Sequence, residues 1–510
     1  MMRSIGASVG FALLAACVAG CSDSHELDGK RAEPEPAAQI IDVVRRDAGL
    51  GTTTGTSGRG NPAPSATTPP STRGSQRDPL PCAPLFDPSR VPTIEITMSP
   101  SERAALEDEF RSVRPDEDGS GLYNPWHPVV FRLDGQVRTD AMMRLKGDWS
   151  WKQTVALDAR PKAQFVVAFD RVDPNARFQG VSRLELDMVR DDPTYLRERV
   201  GHHILRALGV PTVCANSVRL DLDGRYHGVY TAMEELNPEL LPRLFPGAAT
   251  GALWKSGTQI ESEGSPAVFA RQEAWKTSLG AGAMSRIIDL DQALYAWAAE
   301  IVLNNADGYY GGNHNFFTYD HPTRGFQWLP TDLDSTFDYL DWNIHPIYWW
   351  EQHDSDQTAG HHFRAVMLDP TLRARLVDAV ERVIARWDAP GFQSRVDAWS
   401  RQISDAVRDD PHRFESLETI AEATGWLRDT VHHRPEWLKP WITCERTGRG
   451  TDEDRDGAPW CKDCNDRSAA QRPGAREVCG NAADEDCDGL RDEGCPGGPR
   501  EPEGWSSSTW

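Results

Sequence analysis

"NNADGYYGGNHNFFTYDHPTRGFQWLPTDLDSTFDY", residues 304–339, is the stretch on which the reading of this chain turns. Just before it, Leu294, Ala298, Ile301 and Val302 lie on one face of a helix predicted over 291–305. That helix breaks at Asn304–Gly308, so Asp307 falls on a loop just past its end. A strand "NFFTY" then leaves, "GFQWLP" returns, and Asp332 and Asp334 arrive at the end of the returning strand. A hairpin of this length brings its far end back beside its start, so Asp307, Asn313 or Asn315, Asp332 and Asp334 converge. Three readings compete: a metal–phosphate site, a calcium-stiffened binding surface, and a solvated loop system rich in Asx turns.

Working outward, the same alternation of patterns gives an α+β fold. "HPVVFRLDG", "AMMRLKGDWSW" and "KAQFVVAFD" alternate as strands. Asp223–Gly224 sits between two alternating runs as a hairpin turn. Leu196, Val200, Ile204 and Leu208 recur at helical spacing with Gly209 as a stop, and residues 370–440 read as mostly helical. The histidine pairs at 202–203, 361–362 and 432–433 lack the spacing of a zinc helix and read as packing or solvated groups.

The chain has 510 residues, too many for one ordinary core, and its 18 tryptophans supply a large one. A net charge of -22 disfavours nucleic acid and generic binding to anionic surfaces. The opening "MMRSIGASVGFALLAACVAGC" reads as a secretory signal too short to span a bilayer. Its "VAGC" resembles a bacterial lipobox, which makes Cys21 the expected lipidation site, with Cys17 as a second candidate, and the protein a lipid-anchored extracytoplasmic one. Residues 22–80 are a Pro/Gly/Ser/Thr-rich linker. Six cysteines crowd into 444–495, which in an oxidising compartment reads as a disulfide-stapled module. Cys461 and Cys464 form a C-x-x-C, for which zinc is the weaker reading among so many aspartates. The expected division is a signal at 1–21, a linker at 22–80, a main domain at 81–444, a Cys/Asp-rich module at 445–497 and a tail at 498–510.

Taken in order, "KGDWS" (146–150), "RPKAQFVVAFD" (160–170), "DDPTYLRERV" (191–200), "DGRYHGVYTAMEE" (223–235), "NNADGYYGGNHNFF" (304–317) and "LPTDLDSTF" (329–337) resemble the spore-coat protein H (CotH) kinase family. The resemblance covers roughly residues 90–400 and implies an atypical protein-kinase fold that binds ATP with Mg or Mn and phosphorylates Ser/Thr on proteins. It assigns Lys146, Ser150 and Lys162 to the nucleotide, with Glu234, or its neighbour Glu235, as the acidic partner of Lys162. Asp307 would be catalytic, and Asn315, Asp332 and Asp334 would hold metal. The chain departs from the family in having Lys at 146 where Arg is usual, and Thr331 where an aromatic usually precedes the Asp-x-Asp. A lysine offers phosphate a point charge and not the bidentate fork of arginine. The acceptor would be a Ser/Thr-rich surface or envelope protein; the alternatives are a catalytically silent scaffold or adhesion module and a glycan hydrolase.

In "TDEDRDGAPWCKD", Asp452, Asp454, Asp456 and Gly457 occupy positions 1, 3, 5 and 6 of a calcium loop, with Asp463 at position 12. Asp484, Asp486 and Asp488 repeat the start of that pattern, but Cys495 falls at the twelfth position. Residues 463–495 resemble a cysteine-rich metal-binding repeat of secreted and surface proteins from myxobacteria and related bacteria. Calcium in a disulfide-bonded module is the expectation.

Overall fold

The computed structural model describes residues 81–117, 121–147, 149–158, 162–305, 307–337, 360–481, 483–487, 492 and 494–496. The expected signal with Cys21, the linker, the tail and Asp488 lie outside these residues.

Seven strands close into a barrel: β1 (Thr93–Thr97), β2 (His127–Leu133), β3 (Gln136–Lys146), β4 (Gln164–Ala168), β5 (Arg183–Asp187), β6 (Ala215–Leu222) and β7 (Arg225–Glu234). Their order is β1-β2-β3-β4-β5-β7-β6, and parallel pairing of β1 with β6 makes the closure. The strands form because apolar side chains recur every second residue. β2 alternates buried and accessible along its length, and Ile94, Phe131, Phe165, Leu184, Leu186, Leu220 and Ala232 fill the interior. The β6–β7 turn takes Asp223 at φ 49° and Gly224 at φ 75°, the left-handed pair that a two-residue hairpin needs.

A disulfide from Cys82 to Cys214 ties the start of the described chain to β6 across 132 residues of sequence. Closing so long a loop restricts the unfolded chain, so Cys82→Ser with Cys214→Ser should lower unfolding free energy by about 2–5 kcal/mol in urea titrations.

A second sheet has the order β11-β10-β8-β9, from β8 (Ala252–Lys255), β9 (Gln259–Ile260), β10 (Phe316–His321) and β11 (Gly325–Pro330). Helix α1 (Pro100–Ser112) follows β1, and α2 (Trp149–Gln153) is a short turn after β3. Helix α3 (Arg197–Leu208) follows β5; it buries Val200, Ile204 and Leu208 and stops at Gly209, whose φ of 83° no β-carbon favours. Helix α4 (Leu290–Leu303) is capped by the Asp289 side chain and buries almost every residue, including Trp297, whose ring meets Trp328 of β11 at 4.9 Å in a T-shaped pair. Helices α5 (Pro370–Arg386), α6 (Ala389–Asp409) and α7 (Leu417–Thr447) complete this lobe. The architecture is α+β, as the pattern of periods requires.

Beyond α7 the cystines Cys444–Cys461, Cys464–Cys487 and Cys479–Cys495 hold a segment built of turns. Cys461 and Cys464 are spent on different disulfides, so the C-x-x-C is not a zinc site. The first cystine joins the last turn of α7 to this segment, and Arg373 and Lys462 both pair with Glu445 beside it. Among the described residues, no helix is long and apolar enough to cross a membrane.

Candidate active site

Residues of α4, β10, β11, β3 and β5 meet in one acidic cluster. The α4 helix ends at Asn304 in the left-handed conformation, φ 57°, and delivers Asp307 on the following loop. Phe316 pairs with Pro330 across β10 and β11, so Asn315 and Asp332 stand at the same end of the hairpin, where Thr331 N–H donates to Asn315 O at 2.9 Å. Asn315 and Asp332 take φ 54° and 55°, a region that asparagine and aspartate enter more readily than most residues. The Asn315 amide donates to Asp307 Oδ2 at 2.8 Å and to Asp307 O at 3.0 Å. The Asn315 end of the hairpin thus meets the Asp307 loop, and Asp332 is near enough to raise the Asp307 carboxyl.

Lys146 ends β3 and pairs with Glu185 of β5. Asp187, two residues further along β5, accepts from Gln164 Nε2 at 2.7 Å and from Val189 N–H at 2.7 Å. Gly147, at φ 88°, turns the chain away from Lys146; a β-carbon there would stand 3.0 Å from Ser150 Oγ. Ser150 is thus beside the Lys146 turn.

Lys162 and Glu234 are elsewhere, and the pair expected between them is not formed. Lys162 is fully buried and donates to Asp410 Oδ2 at 2.8 Å, with the rings of Tyr195, Tyr230 and Phe414 around its ammonium at 5.2 to 5.5 Å. Glu234 pairs with Arg243 and accepts Cys214 N–H at 2.8 Å. Position 162 begins just before β4, where the closed barrel and α6 cover it, so its charge is answered by a carboxylate from the helical lobe. The lysine that faces the aspartates is Lys146, and its acidic partner is Glu185.

Burial, and then the charge of Asp332, push the Asp307 carboxyl up to about 7. Asp334 is held well above the ordinary range by burial and by Asp332, Glu198, Asp187 and Asp191. Asp187 is pushed up to about 7 by burial, with Lys146 opposing and Asp332 and Glu198 adding to the rise. Asp332 is exposed to solvent, yet the protein around it raises its carboxyl pKa, with Lys146 pulling the other way. Burial alone would lower Lys146; Glu185, Asp332 and Asp187 outweigh it and raise it. Carboxylates that repel one another are a donor set that a hard divalent cation relieves, so Asp307, Asn315, Asp332 and Asp334 offer the oxygen ligands such an ion takes, without three of their carboxylates standing within 4.8 Å of one another.

Sequence reasoning passed over Glu185, Asp187 and Glu198. For Glu185 and Asp187 the alternation in "RLELDM" was the only signal, since it sets both β5 carboxylates apart from Leu184 and Leu186.

In the C-terminal segment, Asp452, Asp454 and Asp456 bring one carboxylate oxygen each within 4.8 Å of one another. Their loop is shaped by Asp456 N–H donating to Asp452 and to Asp454, both at 3.1 Å, and by Gly457 at φ 99°. Asp463, 1% exposed, spends Oδ1 on Asn465 N–H at 2.9 Å. Oδ2 of Asp454, of Asp456 and of Asp463 are buried and accept no hydrogen bond. Burial, and after it Asp456 and Asp454, push Asp463 up to about 7. Orphaned carboxylate oxygens from positions 3, 5 and 12 fit a cation ligated by oxygen. The second acidic group consists of Glu477, Asp484 and Asp486, with Glu477 not anticipated from the repeat.

Among solved structures, the chain is similar to the complex of the toxin–antitoxin proteins HipA and HipB with operator DNA from Shewanella oneidensis MR-1, at 12% identity and a TM-score of 0.26, over 67% of this chain and 71% of that one. It is also similar to the proinflammatory kinase CtkA of Helicobacter pylori, at 11% identity and a TM-score of 0.28, over 64% of this chain and 95% of that one. Invasin CotH3 of Rhizopus delemar is 24% identical over 187 residues, which span 30% of this chain and 31% of that protein. Residues 463–493 match the copper-binding MopE family model, described as "Putative metal-binding motif". The model described as CotH kinase protein matches residues 143–277 and 272–438, more than half of the chain and every residue of the aspartate cluster, and the chain therefore belongs to the CotH kinase family.

Proposed function

We propose that the chain is an extracytoplasmic protein kinase that transfers the γ-phosphate of ATP to Ser or Thr of a surface or envelope protein. The observation that carries this reading is Asp307, bonded to Asn315 and raised by the charge of Asp332, which in turn acts on Lys146. Asp307 would accept the proton of the attacking hydroxyl, a role supported by its raised pKa, which suits a base working near neutrality. Lys146, steadied by Glu185, holds phosphate as a point charge. Asn315, Asp332 and Asp334 would hold Mg or Mn, which when bound neutralises charge on the phosphates. Ser150 and the Gly147 turn border the nucleotide.

The test incubates the purified full chain with γ-labelled ATP, Mg²⁺ or Mn²⁺ and a Ser/Thr-rich acceptor, beside Asp332→Asn. Transfer that disappears in the variant supports the reading. No transfer together with no nucleotide binding overturns it and favours a scaffold or adhesion role, the reading suggested by the invasin relative.

The same proposal assigns calcium to the loop of Asp452, Asp454, Asp456 and Asp463, and lipid anchoring to Cys21. The cystines and the metal-binding motif suit an extracellular module. At a hundredfold excess over its Kd, calcium should stabilise the loop by about 2.7 kcal/mol. Differential scanning calorimetry should show the melting temperature of the module rising with calcium, and no rise in Asp456→Asn with Asp463→Asn.

A further inference from the structure

The turn that carries Asp332 and Asp334 is held from behind by helix α3. Glu198 Oε2 accepts Leu333 N–H at 2.6 Å, and Glu198 Oε1 meets His202 Nε2 at 2.9 Å. His202 Nδ1 meets Thr212 Oγ1 at 2.7 Å, and Thr212 Oγ1 donates to Pro330 O at 3.2 Å. The chain of bonds thus starts between the two aspartates and ends two residues before the first. Arg197 Nη1 adds a bond to Asp334 O at 3.3 Å. Glu198, His202 and Thr212 are 2%, 1% and 1% exposed, so solvent does not replace these bonds when they break. Gly201 brings the helix close: a β-carbon there would lie 2.9 Å from Leu333 Cδ1.

The hydrogens can be counted. Thr212 has one hydroxyl hydrogen, and giving it to Pro330 makes His202 Nδ1–H the donor to Thr212. The Glu198–His202 bond then needs a proton, shared between the carboxyl group and Nε2. All four bonds are made at once when the pair is neutral overall, which is also what burial favours.

We propose that Glu198, His202 and Thr212 form a positioning relay that holds the turn carrying Asp332 and Asp334 in place for a divalent cation. This inference rests on the phosphoryl-transfer reading. The relay touches neither metal nor nucleotide; it acts through Leu333 N–H and Pro330 O. Glutamine at 198 reproduces the whole pattern, since its carbonyl accepts from Leu333 and its amide donates to His202 Nε2. Alanine leaves both partners unmet, and valine at 212 keeps the shape of threonine without its hydroxyl.

The test measures Mn²⁺ binding in the presence of ATP by electron paramagnetic resonance, and label transfer against Mn²⁺ concentration. It uses the full chain, with Asp332→Asn defining the signal that comes from elsewhere in the molecule. Glu198→Ala and Thr212→Val are expected to weaken Mn²⁺ by about 10- to 100-fold, the usual effect of removing a group behind a ligand. Glu198→Gln stays near the parent, and excess Mn²⁺ restores transfer in Thr212→Val. If Glu198→Ala does not fold, Thr212→Val and Glu198→Gln decide. A parent-like Mn²⁺ requirement in Thr212→Val, or a Glu198→Gln as impaired as Thr212→Val, overturns the relay while the kinase reading stands. A parent chain that binds no Mn²⁺ and ATP at the aspartates overturns the kinase reading and this inference with it.

Discussion

Asp307→Asn is expected to lower label transfer by about 10²- to 10⁴-fold, the usual worth of a positioned proton acceptor, while nucleotide binding persists. The same substitution should make the metal-free chain more stable. The Asp307 carboxyl has a folded pKa of about 7, raised first by burial and then by Asp332. In the unfolded chain it returns to about 3.9. Between those two values the folded state binds more protons than the unfolded one, so stability falls as pH rises through about 4 to 7 and then levels. Asparagine carries no charge at any pH and removes this contribution. Urea titrations of the metal-free chain from pH 5 to 8 should therefore show a shallower decline for the variant. Saturating Mg²⁺ should flatten the decline of the parent as well, because the cation answers the repulsion that raises these carboxyl groups. A variant that lost activity and stability together would instead identify Asp307 as a structural cap of its loop.

A residue that is best for folding and another that is best for chemistry compete at this position, which is why the site could be read from the sequence at all. Local rules wanted an ordinary connection after α4. What stands there is a run of asparagines, aspartates and glycines, several of them in the left-handed region. The hairpin geometry that brings Asn315 back to Asp332 follows from two alternating runs and a turn, all local. Likewise Asp223–Gly224, Gly209 and the helix over 197–208 were legible because each depends on neighbours in sequence.

The rest was not local. Glu185 and Asp187 become site residues because β4 lies between β3 and β5, which aligns Lys146 with Gln164 and sets Glu185 within reach. Glu198 and His202 are one helical turn apart, but the bond between them matters through Leu333, 135 residues away from Glu198. The cysteine count announced a stapled module; the pairing of Cys82 with Cys214 needed the barrel. Sequence alone gave Lys162 a role by its place in a motif, while packing gave it a partner 248 residues further on.

Two lysines can now be told apart by opposite expected results. Lys162→Met removes one half of a fully buried ion pair and leaves the buried Asp410 carboxyl without that cation. Breaking such a pair on one side costs about 3–5 kcal/mol. Asp410 still accepts Val229 N–H at 2.9 Å and His412 N–H at 2.8 Å, so the loop between α6 and α7 keeps part of its anchor. The folded fraction of Lys162→Met should bind ATP as the parent does, because its ammonium faces the core. Lys146→Met does the reverse. Its side chain is partly exposed and lies among Glu185, Asp187 and Asp332, so its loss removes the cation that opposes their mutual repulsion. Nucleotide affinity should fall by at least about tenfold, an ordinary effect of deleting a charged hydrogen-bond donor worth about 1.5–3 kcal/mol, with a far smaller change in urea midpoint than Lys162→Met shows. Equilibrium unfolding and nucleotide titration on the two variants separate the roles. If Lys162→Met were stable and unable to bind ATP, the phosphate lysine would be the one inside the barrel wall and the acidic cleft beside Lys146 would belong to another ligand.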